Sequence, residues 1–149
     1  MSVMPYLSAP LGQPVAERDG LSAPFWAGLR EERLRVQRCE TCGTCQWGPE
    51  WICHACHGFD IGWTDVAPRG RIFSWTRVWH PVRETLAADV PYLVVLVELA
   101  ASPNVRLIGN LLAPADRDPR IDDAVVGVFE HHGDGAEGYS LLQWRPVTA

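Results

Sequence analysis

Lysine is absent from this sequence: all thirteen basic residues of the 149-residue chain are arginine. The absence excludes a lysine Schiff base and a lysine general base. The arginine bias fits GC-rich codon usage and does not by itself point to phosphate recognition. Also missing are a Gly-x-Ser-x-Gly elbow, a phosphate-binding glycine loop and a His-Glu-x-x-His pair. The histidines His54, His57, His80, His131 and His132 form no recognisable catalytic arrangement. His131 and His132 are expected in a solvated turn before Gly133, and His80 at another strand end. Long apolar runs are lacking too. The longest, Val90 to Ala101, carries Pro91 and Glu98 and is too short to cross a bilayer. Met1 to Gly20 show no basic start followed by an apolar run, so no signal peptide is expected and a cytoplasmic location is the default. Basic excess is missing as well. The net charge is −5, whereas phosphate neutralisation gives nucleic-acid binders a basic balance.

What is present is a normal globular composition, 47% hydrophobic and 21% charged, with room for one domain or two small ones. In a reducing compartment, clustered cysteines read as metal ligands rather than disulfides. Cys39-x-x-Cys42 and Cys53-x-x-Cys56 are two such knuckles, ten residues apart. Two intervening residues let both thiolates of a knuckle converge on one ion at about 2.3 Å. Four thiolates close a tetrahedron and leave no place for water, which makes the site structural: zinc, with iron in a rubredoxin-like cage as the alternative. Cys45 has a correct spacing to Cys42, but Gly43 behind the first pair makes Cys39 and Cys42 the better turn. Cys45 is then a bystander. His54 and His57 flank the second pair and are not needed as ligands when four thiols are available. So short a ribbon depends on its metal for most of its stability.

Residues 1–21, with three prolines and two glycines, read as an irregular arm. Ser22-Ala23-Pro24 opens a short helix whose Phe25, Trp26 and Leu29 share one face. That face must pack on its own domain or on a partner, and Gly28 weakens the helix by roughly 1 kcal/mol. Short strands are predicted at residues 34–38 and 61–66, on either side of the cysteines. From Gly70 the pattern is all-β, with strands at 71–79, 92–99, 105–112, 124–130 and 139–144. Five short strands fit an oligonucleotide/oligosaccharide-binding (OB) barrel. Simple alternation places Phe73, Trp75, Arg77 and Trp79 on one face, and Ile72, Ser74, Thr76 and Val78 on the other. Trp75 and Trp79, two of seven tryptophans, either serve the core or offer an aromatic surface to a planar ligand or protein. The fold class is therefore mainly β: an arm (1–21), a helix plus rubredoxin-like zinc ribbon (22–66) and a five-stranded OB-fold domain (67–149).

The order of several segments carries a resemblance. These are Pro24-Phe25-Trp26, LRVQRCETCG from Leu34 to Gly43, Cys53-His54-Ala55-Cys56, GRIFSWT from Gly70 to Thr76, Val90-Pro91-Tyr92, Gly109-Asn110-Leu111 and Val125 to Glu130. Over roughly residues 22–147 the chain resembles the zinc-ribbon/OB-fold proteins associated with acyl-CoA enzymes, long catalogued as a domain of unknown function. Family members often have proline after the first cysteine of the second knuckle and glycine after its last; His54 and His57 stand there instead, with Gly58 one position late.

The resemblance implies an accessory subunit without catalytic residues of its own, paired with a thiolase-like subunit as a heterotetramer. Acyl-CoA would bind at or near the interface. The implied reaction is a retro-aldol cleavage in steroid side-chain degradation. Pairing with a hotdog-fold enoyl-CoA hydratase or an acyltransferase is the alternative. Arg35, Arg38, Arg71 and Arg77 are then candidates for the CoA phosphates, and Phe25, Trp26, Leu29, Trp75 and Trp79 for the partner interface. Two readings compete with this one: a single-stranded nucleic-acid-binding OB module, which the acidic balance disfavours, and a stand-alone acyl-CoA binder or thioesterase-like enzyme.

Overall fold

The computed structural model describes residues 20–133 and 138–147. The expected arm, save Gly20 and Leu21, lies outside the described residues.

Helix α1 spans Ala23–Arg30. Pro24 sits in its first turn, where a missing N–H costs no bond. Ser22 forms no side-chain cap; its carbonyl instead accepts the amides of Phe25 and Trp26. At the other end the Arg33 amide donates to the Gly28 carbonyl at 2.8 Å and the Glu32 amide to Leu29 at 3.2 Å. This is the six-to-one and five-to-two closure that usually has glycine at its left-handed position, here filled by Glu32 at φ 56°. Gly28 does more than weaken the helix. A Cβ there would lie 2.7 Å from the Arg33 carbonyl oxygen and 3.1 Å from Arg35 Cγ. The missing side chain is what lets the chain fold back against the helix.

From that return the chain enters β1 (Leu34–Cys39), followed by the short β2 (Cys45–Gln46) and β3 (Ile61–Val66). They form an antiparallel sheet in the order β2-β1-β3. Strands β4 (Arg69–Val78), β5 (Tyr92–Leu99), β6 (Ser102–Asn110), β7 (Ala124–His132) and β8 (Tyr139–Pro146) form the second sheet, in the order β6-β5-β4-β7-β8. A parallel bridge between Leu111 and Trp144, and a bond from the Leu112 amide to the Trp144 carbonyl, bring the end of β6 back to β8. The result is a nearly closed five-stranded antiparallel barrel of OB type.

The expected alternation on β4 fails at one point. The register shifts between Ile72 and Ser74, so an extra residue, Phe73, is accommodated as a bulge. Beyond a bulge every side chain changes face. Ile72 is buried, Phe73 and Ser74 are exposed, and Trp75 returns to the core. Trp75 thus shares its face with Ile72, not with Phe73. Arg106 lies over the Phe73 ring at 3.7 Å.

The expected solvated turn at His131 and His132 is also corrected. Both belong to β7 and neither is exposed. His132 stacks on Tyr139 at 4.7 Å and bonds to the buried Glu130 carboxylate at 2.5 Å, while His131 Nδ1 lies 2.7 Å from Ser140 Oγ. Cross-strand partners on β8 hold both rings in place, which the neighbouring glycine in the sequence does not reveal.

One apolar core serves both sheets. Phe25 and Leu29 of α1 and Leu34 and Val36 of β1 belong to the same cluster as Leu93, Val95, Leu107, Leu142 and Trp144 of the barrel. Among the described residues no helix is long and apolar enough to cross a membrane.

Replacing Gly28 with alanine separates propensity from packing. Propensity alone favours alanine by about 1 kcal/mol. The approach of the Arg33 carbonyl reverses the sign, and Gly28→Ala is expected to lower stability by about 1–3 kcal/mol in urea denaturation.

Candidate metal centre

The two cysteine knuckles have the same backbone wiring. The Cys39 amide donates to the Thr44 carbonyl and the Gly43 amide to the Cys39 carbonyl, at 2.9 and 2.8 Å. Fourteen residues on, the Cys53 amide donates to Gly58 and the His57 amide to Cys53, at 2.9 and 3.0 Å. Each turn needs a left-handed residue after its second cysteine. Gly43 supplies it at φ 74°, and His57 supplies it at φ 59°. A residue with a Cβ is strained in that conformation by roughly 1–2 kcal/mol. The displaced glycine noted in the sequence therefore leaves the turn formed but strained.

These turns bring the four sulfurs together. Cys39 Sγ lies 3.6 Å from Cys56 Sγ, Cys42 Sγ lies 3.6 Å from Cys53 Sγ, and all four fall within 4.8 Å of one another. Four thiolates about 2.3 Å from a tetrahedral ion stand about 3.8 Å apart, so the cage fits one ion without rearrangement. Cys45, on β2, is outside the cage. His54 and His57 are exposed and take no part in it.

Proton chemistry points the same way. The Cys42 thiol is lowered to about 6 by the Thr44 hydroxyl at 3.2 Å and by the Thr44 backbone amide. Cys39 is lowered by the backbone amide of Cys42. At Cys56 the Gly58 amide favours the thiolate, but the Cys39, Cys42 and Cys53 sulfurs and desolvation together outweigh it and push the thiol up to about 12. Packed sulfurs resist losing their last proton unless a cation replaces it. With every ligand supplied by protein, the ion is structural.

A support that sequence reasoning missed lies behind the cage. Gln37 and Gln46 are buried side by side, each 1% exposed. Gln46 Nε2 donates to Gln37 Oε1 at 2.9 Å and to the Ile52 carbonyl at 3.1 Å, while Gln46 Oε1 accepts the His54 amide at 2.9 Å. Gln37 Oε1 also accepts the Glu50 amide at 2.9 Å, and its Nε2 donates to the Glu50 carbonyl at 3.1 Å. Each amide thus makes three hydrogen bonds, using both its oxygen and its nitrogen. They moor the loop that carries Cys53 and Cys56 to β1 and β2. The only trace in the sequence is two glutamines at core positions of short strands.

The candidate CoA-binding arginines do not converge. Arg35 is held by Glu31 at 2.7 Å and Asp65 at 3.1 Å. Arg77 donates to the Ala115 carbonyl at 2.6 Å and to Asp118 at 2.7 Å, which ties β4 to the β6–β7 loop. Arg38 is exposed on the ribbon, and Arg71 is exposed on β4 opposite Glu98. Of the candidate partner residues, Phe25 and Leu29 are buried in the chain's own core, and Trp26 and Trp75 are half-buried against it. Trp79 is 61% exposed.

A closed four-thiolate ribbon packed on a small antiparallel barrel defines a zinc-ribbon/OB-fold protein. Two family models match consecutive stretches: the rubredoxin-like zinc ribbon domain of ChsH2 over residues 26–62, and the C-terminal OB-fold domain of ChsH2 over residues 63–130. The chain belongs to the ChsH2 family, and its metal is the structural zinc of that ribbon.

Among solved structures, a chain of the Ltp2-ChsH2(DUF35) aldolase is 30% identical, with a TM-score of 0.72 over 90% of this chain and 98% of that one. A DUF35-family protein of unknown function from Sulfolobus solfataricus is 14% identical with a TM-score of 0.54 over 85% of each chain, which supports the fold alone. A probable enoyl-CoA hydratase alpha subunit of Thermomonospora curvata is 34% identical over 76% of this chain. The 3-oxo-4,17-pregnadiene-20-carboxyl-CoA hydratase alpha subunit of Mycobacterium tuberculosis is 28% identical over 90%. The chain spans 34% and 40% of the length of these two curated relatives.

Two substitutions test the site. Gln46→Leu leaves the Ile52 carbonyl, the His54 amide and the buried Gln37 side chain without this partner and is expected to cost roughly 2–4 kcal/mol, with faster zinc loss in a chelator-competition assay. His57→Gly relieves the left-handed strain but frees the unfolded chain by about 0.5–1 kcal/mol. A net gain of about 0.5–1 kcal/mol is expected in thermal unfolding of the zinc-loaded protein.

Proposed function

We propose that this chain is a non-catalytic accessory subunit of a thiolase-type enzyme acting on acyl-CoA thioesters, with a retro-aldolase of steroid side-chain degradation as the assembly. The observation that carries the reading is the likeness to the ChsH2(DUF35) chain of the aldolase, which extends over 98% of that chain. In this reading the thiolase-like partner supplies the reacting groups. The zinc ribbon holds a rigid surface against that partner, and the two proteins form a heterotetramer in the cytoplasm with acyl-CoA at or near their interface.

Exposed apolar groups support a docking role. Trp51 and Phe59 on the ribbon are 62% and 80% exposed, and Trp79 and Val82 in the segment after β4 are 61% and 81% exposed. Rings placed this way are common in protein interfaces.

A second reading has a specific observation behind it. Both curated relatives are hydratase alpha subunits, which favours a hotdog-fold enoyl-CoA hydratase as the partner.

Co-expression with the thiolase-like and hydratase-like proteins encoded nearby, followed by gel filtration and assay of the purified complex, tests the proposal. Co-elution with the thiolase-like chain and carbon–carbon cleavage of an acyl-CoA is the expected result. Co-elution with the hydratase alone favours the second reading, and indifference to both overturns the accessory role. Cys53→Ala is expected to open the ribbon and release the partner. A complex that persists without bound metal counts against the ribbon's part in docking.

A further inference from the structure

Across the outer face of the barrel, Arg69 of β4, Val126 of β7 and Arg145 of β8 stand directly opposite one another. Residues so paired lie on the same face. Two strand spacings separate the arginines, about 10 Å between Cα atoms. Both guanidinium side chains are on exposed residues, and among the described residues no carboxylate lies within ion-pair distance of either. Arg33, Arg35, Arg77 and Arg106 are each committed to an acid; what distinguishes Arg69 and Arg145 among the remaining arginines is that they share one row of the sheet, on either side of Val126. The nearest acid along the row of Arg71 is Glu98, and it is already engaged by Arg106 at 3.0 Å. The two free arginines border a groove of about 610 Å³ whose remaining walls include Leu112, Ala113, Pro114 and Val147.

We infer that this groove binds a phosphate-bearing ligand, with Arg69 and Arg145 clasping a phosphoryl group from either side of Val126 and an apolar or ring portion seated along Leu112 to Pro114. Paired guanidinium forks match phosphate oxygens in geometry and charge. Two exposed cations about 10 Å apart repel only weakly through salt water, whereas an anion seated between them is attracted by both. Resting on the acyl-CoA reading above, the source of the phosphate is the nucleotide end of coenzyme A. The apolar wall suits the base or the start of the pantetheine arm.

The test uses the full zinc-loaded chain, with inorganic pyrophosphate, coenzyme A, dephospho-coenzyme A and pantetheine as probes in calorimetry and thermal unfolding at low and high salt. Pyrophosphate and coenzyme A are expected to bind saturably and raise the unfolding temperature, pantetheine is expected not to, and salt is expected to weaken the effect. Arg69→Gln and Arg145→Gln are each expected to weaken binding roughly tenfold. Both positions are exposed and make no ion pair among the described residues, so the variants should be about as stable as the parent without ligand. That readout separates a lost site from a lost fold.

A thermal shift that survives in the double variant, or no saturable binding of pyrophosphate and coenzyme A, overturns the groove. Binding of pyrophosphate with no preference for coenzyme A supports the anion site and overturns coenzyme A as its source. A partner complex that forms without either probe binding sinks this inference while leaving the accessory-subunit reading intact. Probe binding by a chain that forms no complex with either candidate partner in co-expression supports this inference and sinks the accessory-subunit reading.

Discussion

Between Thr41 and Asp60 the chain buries few side chains, Cys53 and Gln46 being the exceptions among mostly exposed neighbours such as Trp51 and Phe59. Burial cannot hold a stretch of this kind, because ordering each backbone residue costs about 1–2 kcal/mol. Convergence of four sulfurs on one cation meets that cost and dictates where the second knuckle sits. Everything on the ribbon's outer side, including its exposed rings, takes its position from that cage. The buried glutamine pair is subordinate to it: the amides hold the loop in place, while the ion closes it.

The cage also explains why one strained residue is tolerated. His57 occupies a backbone conformation suited to glycine because its amide must reach the Cys53 carbonyl for the second turn to close. Metal coordination contributes far more than the roughly 1–2 kcal/mol of local strain. A similar exchange operates at Glu32, where the helix closure and the nearby His131 ring, 3.3 Å from its carboxylate, accompany a left-handed backbone.

Legibility in the sequence followed the range of the interactions. Ligand spacing is local, so the metal cysteines and the exclusion of Cys45 were readable from a few adjacent residues. Strand existence was readable from apolar runs, and the limits of β3 and β5 coincide with the expected ones. The bulge at Phe73 was not readable, since a register shift exists only relative to a partner strand. The same holds for Gln37 and Gln46, whose meaning comes from a loop that returns from residues 50–54. Charge pairing was hidden for the same reason. Arg35 and Arg77 look like free cations in sequence and are committed to Asp65 and Asp118 in space, whereas Arg69 and Arg145 form no ion pair among the described residues.

The continuity of the core across the two sheets limits how this protein can be rearranged. Helix α1 fills space against β8 and β7 as well as against β1. Severing the chain after β3 would strip a lid of Phe25 and Leu29 from Leu142 and Trp144, so neither half is a free-standing cassette. A ribbon transplanted from a distant relative would have to bring a helix cut to this barrel's mouth. Exchange between such proteins should therefore favour the whole ribbon-and-barrel unit over either piece alone.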